Sequence, residues 1–354
     1  MSRVELKNVT KRYGDAVAVR DLSLDIREGE FLTLLGPSGC GKTTTLRMIA
    51  GFVLPSSGVV WLGDDDVTHL PPNKRDIGMV FQDYALFPHM TIGENIAFGL
   101  TERKTAKEQI SKRVKELLEM VQLASVEHRY PPELSGGQQQ RIAVARAVAY
   151  SPRVLLMDEP LGALDLKLRE AMQAEIRQIQ QRLGTTTVYV THDQTEAMHM
   201  SDRIVVMNDG RIEQMGSAEE IYDRPLTRFV AGFIGQINLL DAAVVGRDGA
   251  AAVVELAGRR VKMDVTEQAL GPVTVGLRRE HLELLSGQAV PTGYNSLPGQ
   301  VAGRTFSGNL VHVEVALASG QNITVDVRPE IPVAAKGSSV TVVWSPQRGT
   351  ILRQ

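Results

Sequence analysis

Phe31-Leu32-Thr33-Leu34-Leu35 runs directly into Gly36-Pro37-Ser38-Gly39-Cys40-Gly41-Lys42-Thr43-Thr44, and this one stretch sets the fold class. An apolar run of five residues is what a parallel strand covered on both faces requires. The loop that follows needs its glycines because a backbone that curls tightly around an anion, with several N–H groups turned inward, leaves no space for a Cβ. Residues 43–50 then read as a helix whose positive end faces the loop. Lys42 is placed to reach β- and γ-phosphates, and the Thr43 hydroxyl to meet Mg²⁺. The reading is a strand, a phosphate loop and a helix of an α/β domain, with a nucleotide as the ligand and residues 36–44 as its phosphate contacts.

Working outward, residues 154–157 form a second apolar run that ends in Asp158 and Glu159. A carboxylate fixed at that strand end is positioned for Mg²⁺, and the next residue faces the other way. Val188-Tyr189-Val190-Thr191 ends in His192, and Met79-Val80-Phe81 ends in Gln82. Strands that all finish in polar side chains place the chemistry at the carboxyl edge of one sheet. Leu134-Ser135-Gly136-Gly137-Gln138 opens a further helix, and a glycine pair at a helix N-terminus is a second anion site.

These motifs, in this order, resemble the nucleotide-binding subunit of an ATP-binding-cassette transporter. The resemblance covers residues 1 to about 235 and implies roles for particular side chains. Glu159 is the general base toward the attacking water, His192 contacts the γ-phosphate, and Gln82 senses Mg²⁺ and that water. Lys42 joins them in catalysis, while Thr43, Gln82 and Asp158 surround the metal. Tyr13 stacks on adenine. Ser135, Gly136, Gly137 and Gln138 close on ATP held by the phosphate loop of a second copy, head to tail. Asp165, in Gly162-Ala163-Leu164-Asp165, belongs to the loop that crosses that homodimer, although the family often has serine where Gly162 stands.

The totals agree with this class. A chain of 354 residues has room for roughly two domains, and 43% hydrophobic with 23% charged residues suits a globular protein. A net charge of -2, from 39 basic and 41 acidic residues, excludes an overall field for nucleic acid. Cys40 is the only cysteine, so no intrachain disulfide forms and a reducing cytoplasm is the expected home. No apolar run of about 18 residues is present to span a bilayer. The resemblance implies two transmembrane permease subunits and an extracytoplasmic substrate-binding protein as partners, with this chain peripheral on the cytoplasmic face of the membrane. The apolar loop Tyr84-Ala85-Leu86-Phe87-Pro88-His89-Met90 suits docking of such a partner.

Apolar stripes at Ile110, Val114, Leu117, Leu118 and Val121, and at Leu168, Met172, Ile176, Ile179 and Leu183, predict two core-facing helices. After about residue 235 short alternating runs take over, so 236–354 is expected to be a small all-β, barrel-like domain, and the resemblance implies that it is a regulatory domain of TOBE type. Its Val275-Gly276-Leu277-Arg278-Arg279-Glu280-His281 resembles the Arg-Pro-Glu element of importer ATPases, with Arg279 in place of the proline. Residues 76–88 and 229–235 look closest to the polyamine importer group. The same engine also serves phosphonate, ferric iron, sugar or glycerol phosphate uptake. A soluble cassette ATPase of translation or DNA repair is the alternative from another class; those chains usually carry two cassettes or a long coiled coil, and this one has neither.

Overall fold

A computed structural model describes residues 2–162, 164–249, 251–263 and 270–352. The chain divides into two compact units, Met1–Ala218 and Glu219–Gln354. The change of texture near residue 235 therefore lies inside the second unit. The reason is local packing: the short helix Arg228–Phe233 sits against the strand that begins at Ile237, and Arg228 pairs with Asp241 at 3.6 Å.

The first unit contains β1 (Val4–Tyr13), β2 (Ala16–Ile26), β3 (Phe31–Leu35), β4 (Ser57–Leu62), β5 (Asp65–Asp66), β6 (Ile77–Val80), β7 (Val154–Asp158), β8 (Thr186–Thr191), β9 (Arg203–Asn208) and β10 (Arg211–Gly216). Its helices are α1 (Lys42–Ala50), α2 (Ile92–Glu102), α3 (Lys107–Met120), α4 (Gly136–Val148), α5 (Leu166–Leu183) and α6 (Gln194–Met200). The six-stranded sheet runs β10-β9-β3-β8-β7-β6 and is parallel except for the edge pair β9–β10. Every residue of β3, β7 and β8 is buried, which is why the sequence there lacks the apolar–polar alternation of a half-exposed strand.

A second, four-stranded antiparallel sheet, β2-β1-β4-β5, was not among the expectations. Its signal is present in β2, where Leu22, Leu24 and Ile26 are buried and Asp21, Ser23 and Asp25 are exposed, a period of two with one face covered. The helices form a separate core in which the two predicted stripes lie side by side with Ile142 and Val144 of α4.

Arg75 ties these parts together. It is 1% exposed and donates to the carbonyls of Leu70, Thr68, Met48 and Ile49 at 2.7–3.1 Å. Two of those carbonyls end α1, where a cation offsets the negative end of the helix dipole. Burial pushes the guanidinium pKa down to about 10. Gly51, at φ 83°, caps the helix beneath it, and a Cβ there would stand 2.4 Å from Arg75 Nε.

The second unit adds α7 (Ala218–Asp223), α8 (Arg228–Phe233), β11 (Ile237–Asp248), β12 (Ala251–Leu256), β13 (Arg259–Met263), β14 (Gly271–Arg278), β15 (Glu283–Leu285), β16 (Asn295–Phe306), β17 (Val311–Leu317), β18 (Asn322–Val327), β19 (Ser339–Trp344) and β20 (Gly349–Leu352). Two five-stranded antiparallel sheets, β13-β12-β11-β14-β20 and β15-β19-β16-β17-β18, curl around one core as a half-barrel. Asparagine side chains stitch the sheets. Asn238 donates to Thr324 O at 2.8 Å and accepts from Thr324 N at 2.7 Å; Asn295 does the same with Lys262 at 2.7 and 2.8 Å. Arg278 of the predicted Arg-Arg-Glu element donates to the carbonyls of Ile234 and Tyr222 and stacks on the Tyr222 ring at 3.9 Å.

Arg75→Ala should lower the stability of the first unit by about 3 kcal/mol, since it strands buried carbonyls that were bonded to a charge. Denaturant unfolding followed by far-UV circular dichroism checks this; a shift below about 1 kcal/mol would show that α1 does not lean on Arg75.

Candidate functional site

Strands β3, β8, β7 and β6 are neighbours, so the segments leaving their carboxyl ends meet along one edge. The loop after β3 is compressed between two other backbones. A Cβ on Gly36 would lie 2.3 Å from Met207 O of β9, and one on Gly41 would lie 2.5 Å from Ala18 O of β2. Gly41 is also left-handed at φ 102°, as is Gly39 at 82°. Gly41 caps α1 without any side-chain bond, which leaves the first amides of the helix for a ligand.

Within the loop, Lys42 is buried and its Nζ donates to Gly36 O at 2.7 Å and Pro37 O at 2.9 Å. Its ammonium thus lies across the loop mouth, held by carbonyls that an anion would replace. Cys40 is buried beneath, with Sγ 3.9 Å from Lys42 Nζ, and desolvation pushes its thiol pKa up. Ser38 and Gly39 are exposed at the tip, while Pro37, Thr43 and Thr44 are half-buried.

The Thr43 hydroxyl donates to Asp158 Oδ1 at 3.0 Å. Arg47, one turn on, is 4.0 Å from the other Asp158 oxygen. Burial raises the Asp158 pKa, opposed by the Thr43 bond and by Arg47. A hydroxyl and a carboxylate within bonding distance, both oxygen donors, fit a hard divalent cation completed by water and phosphate.

Glu159 turns away at once because its φ is 45°, a left-handed conformation uncommon for a non-glycine residue. Its Oε2 lies 3.0 Å from His192 Nδ1, so a carboxylate and an imidazole from neighbouring strand ends meet in front of the loop. Gln82 comes to the same place: its Nε2 is 3.8 Å from where a Cβ on Gly162 would stand. Tyr13 ends β1 with its ring 52% exposed and Lys11 Nζ 4.9 Å from the ring centroid.

The Leu-Ser-Gly-Gly-Gln segment lies elsewhere. Ser135 caps α4 through a reciprocal pair, its Oγ accepting from Gln138 N at 3.4 Å and its own N–H donating to Gln138 Oε1 at 2.9 Å. Gly137 packs on Leu168, and Gly136 faces Leu164 and the Tyr84 hydroxyl. Among the described residues no hydrogen bond joins residues 135–138 to residues 36–44. Asp165 is exposed and caps α5 by accepting from Leu168 N at 3.0 Å. Ala163, beside it, is outside the described residues.

A charged relay between these two groups was not anticipated. Arg169 donates to Leu164 O at 3.0 Å and to Asp193 Oδ2 at 3.0 Å, with Glu196 Oε1 at 3.8 Å. Asp193 in turn caps α6 by accepting from Thr195 N and Glu196 N. Buried Glu196 accepts from Tyr189 and Thr191, each at 2.7 Å, and desolvation raises its pKa. This network holds His192 from behind and ties it to the loop before Asp165. Its one visible signal is that Asp193 follows a strand end and precedes a helix, a typical cap position.

A phosphate loop, a carboxylate bonded to its threonine, and a second carboxylate paired with histidine define a nucleotide-hydrolysing cassette. Residues 19–162 match the ABC transporter family model, and residues 275–352 match the TOBE domain. The spermidine/putrescine import ATP-binding protein PotA of Thermobifida fusca is 46% identical over 359 residues, which span 99% of this chain and 93% of that protein. The Fe(3+) ions import ATP-binding protein FbpC of Rhizobium etli is 46% identical over 91% of this chain and 90% of its own length. A bacterial ABC transporter cassette solved as a dimer superposes with TM-score 0.55 at 37% identity, covering 61% of this chain and 98% of that one. The chain belongs to the ABC transporter family, as an ATP-hydrolysing subunit with a TOBE domain.

Because burial raises the Asp158 pKa above its unfolded value, ionised Asp158 destabilises the ligand-free fold at neutral pH. Asp158→Asn should therefore raise the melting temperature of the nucleotide-free chain at pH 7 while abolishing metal-dependent turnover. The gain should shrink as pH falls through the folded-state pKa, where wild-type Asp158 takes up its proton. Thermal unfolding across pH 4 to 8 reads this; a destabilised variant at pH 7 would mean that the Thr43 and Arg47 contacts outweigh desolvation.

Proposed function

We propose that this chain drives uptake of polyamines through a membrane importer by binding and hydrolysing ATP at the edge of its six-stranded sheet. The observation that carries the reading is the division of labour between adjacent carboxylates. Asp158 is bonded to Thr43 at 3.0 Å and Glu159 to His192 at 3.0 Å. Residues 36–44 cradle the phosphates of ATP, and Tyr13 stacks on its adenine. Thr43 and Asp158, with Gln82, would hold Mg²⁺, which neutralises phosphate charge when bound.

Glu159 then takes the proton of the attacking water. His192, 59% exposed in its side chain and anchored through Asp193, holds Glu159 in orientation and reaches toward the γ-phosphate. Lys42 leaves the carbonyls of Gly36 and Pro37 for the phosphate oxygens. Ser135, Gly136, Gly137 and Gln138, together with Asp165, complete the site of a second copy in a head-to-tail homodimer. That a related cassette was solved as a dimer supports a dimer here. Differential affinity of open and closed dimers for ATP is what converts hydrolysis into movement.

Among the described residues no helix is long and apolar enough to cross a membrane. Two permease subunits supply the passage, the chain is peripheral on the cytoplasmic face, and an extracytoplasmic binding protein delivers cargo to the permeases. Polyamine cargo is supported by the PotA relatives, which align over nearly the whole chain. Ferric iron is the second reading, supported by a relative of equal identity over 91% of this chain.

Uptake of radiolabelled spermidine and of ferric iron, in cells deleted for this chain and complemented with it, separates the two. Restored spermidine uptake alone supports the proposal; restored iron uptake alone overturns the cargo assignment. For the engine, Glu159→Gln should retain ATP binding, lose ~10² to 10⁴ in turnover and accumulate as a dimer with ATP and Mg²⁺. A monomer with normal turnover would remove Glu159 from its role. Ser135→Arg should leave binding by one subunit intact and prevent dimer closure; gel filtration with ATP and Mg²⁺ reads both variants, and loss of binding in the monomer would place the signature in cis.

A further inference from the structure

Tyr84 and Ala85 follow Gln82 with φ of 61° and 48°, two successive non-glycine residues in the left-handed region. Such a pair persists only where the surroundings enforce it. Arg146, in the last turn of α4, enforces it here. Its Nη1 donates to Ala85 O at 2.7 Å and its Nη2 to Tyr84 O at 3.0 Å. A planar guanidinium makes this two-pronged grip, whereas an ammonium, as a point charge, does not. The Phe87 ring lies 5.5 Å from the same guanidinium carbon, and desolvation lowers the Arg146 pKa, so the cation is held away from water.

The rest of the loop is fastened to the same helical core. Asn95 of α2 accepts from Phe87 N at 2.8 Å and donates to Phe87 O at 3.1 Å. The Tyr84 side chain is buried, and its hydroxyl, unbonded among the described residues, lies 3.8 Å from where a Cβ on Gly136 would stand. Ala85, Pro88 and His89 remain exposed. The apolar run of residues 84–90 is thus a mounted loop with an exposed crest. It is fixed to α2 and α4, while its link back to β6 is the tight turn in which Tyr84 N donates to Phe81 O at 3.1 Å. An α-helix rises about 1.5 Å per residue, so Arg146 and the Gly136 end of α4 lie about 15 Å apart on one rod.

We infer that Arg146 is a positioning residue that joins the exposed loop of residues 83–90 to the signature helix, so that force from a membrane partner on the loop moves Ser135 and Gly136 with it. The inference rests on the proposed docking of a membrane partner and adds the part that transmits it.

The test compares Arg146→Ala, Arg146→Lys and the double variant Arg146→Ala with Ala85→Gly. Hydrogen–deuterium exchange of residues 83–90 is measured on the full chain, and ATP turnover on the chain alone and in proteoliposomes with its permeases. Arg146→Ala should speed exchange in the loop at least about tenfold and leave turnover of the isolated chain within about twofold, as expected for a site away from the chemistry. Turnover stimulated by the assembled complex should fall about tenfold or more. Arg146→Lys should behave the same way. Ala85→Gly should restore more than half of the lost stimulation, because glycine holds a left-handed φ without the clamp.

Unchanged exchange in Arg146→Ala would overturn the clamp. A loosened loop with full stimulation would overturn the transmission. A wild-type chain that binds no permease would instead defeat the docking reading, and is told apart because it fails without any substitution.

Discussion

At two positions of the phosphate loop there is no room for a Cβ. Gly36 is pressed against the carbonyl of Met207 and Gly41 against that of Ala18, at 2.3 and 2.5 Å from an ideal Cβ. These contacts lock the phosphate loop between the six-stranded sheet and the antiparallel β1–β2 hairpin, so the loop's shape is inherited from both sheets. Everything else at the edge follows from where that loop lies: the α1 amides it exposes, the Lys42 ammonium it bends inward, and the Thr43 hydroxyl it offers to Asp158. Arg75 secures the other end of α1, so the helix is fixed at both termini by interactions with distant parts of the chain.

The polar machinery is arranged by depth. Asp158 is buried and desolvated, and its tendency to protonate is opposed by Thr43 and Arg47. His192 is the exposed member of its pair with Glu159, yet the residues behind it, Asp193, Glu196 and Arg169, are bonded to one another and to the carbonyl of Leu164. The strain at Glu159, at φ 45°, belongs to the same design, because it is what aims two consecutive carboxylates at different targets.

Much of this was legible in the sequence for a physical reason. Parallel strands buried on both faces are predominantly apolar, so residues 31–35 and 154–157 announce themselves, and each ends where the chemistry begins. The amphipathic stripes of α3 and α5 are equally direct. The four-stranded sheet was less visible because β1 is partly covered and interrupted by register shifts, so its alternation is broken. Arg75, Arg146 and Arg169 were invisible. Arg75 and Arg146 bond to backbone carbonyls, and a carbonyl has no residue identity for a pattern to report; Arg169 joins the Asp193 and Glu196 carboxylates, which no local spacing pairs with it. Left-handed residues such as Tyr84 and Ala85 escape for a related reason: their conformation is imposed from outside, not preferred from within.

The signature serine carries one more consequence. With Ser135 and Gln138 satisfying each other's backbone, the first turn of α4 stays wound whether or not anything lies in front of it. In the proposed dimer the cap would stand in for a visiting anion, and exchanging one for the other would require no refolding. Arrival and departure of a second subunit's nucleotide would then be limited by diffusion and domain movement. Such an end can be engaged and released over many cycles without the helix ever fraying.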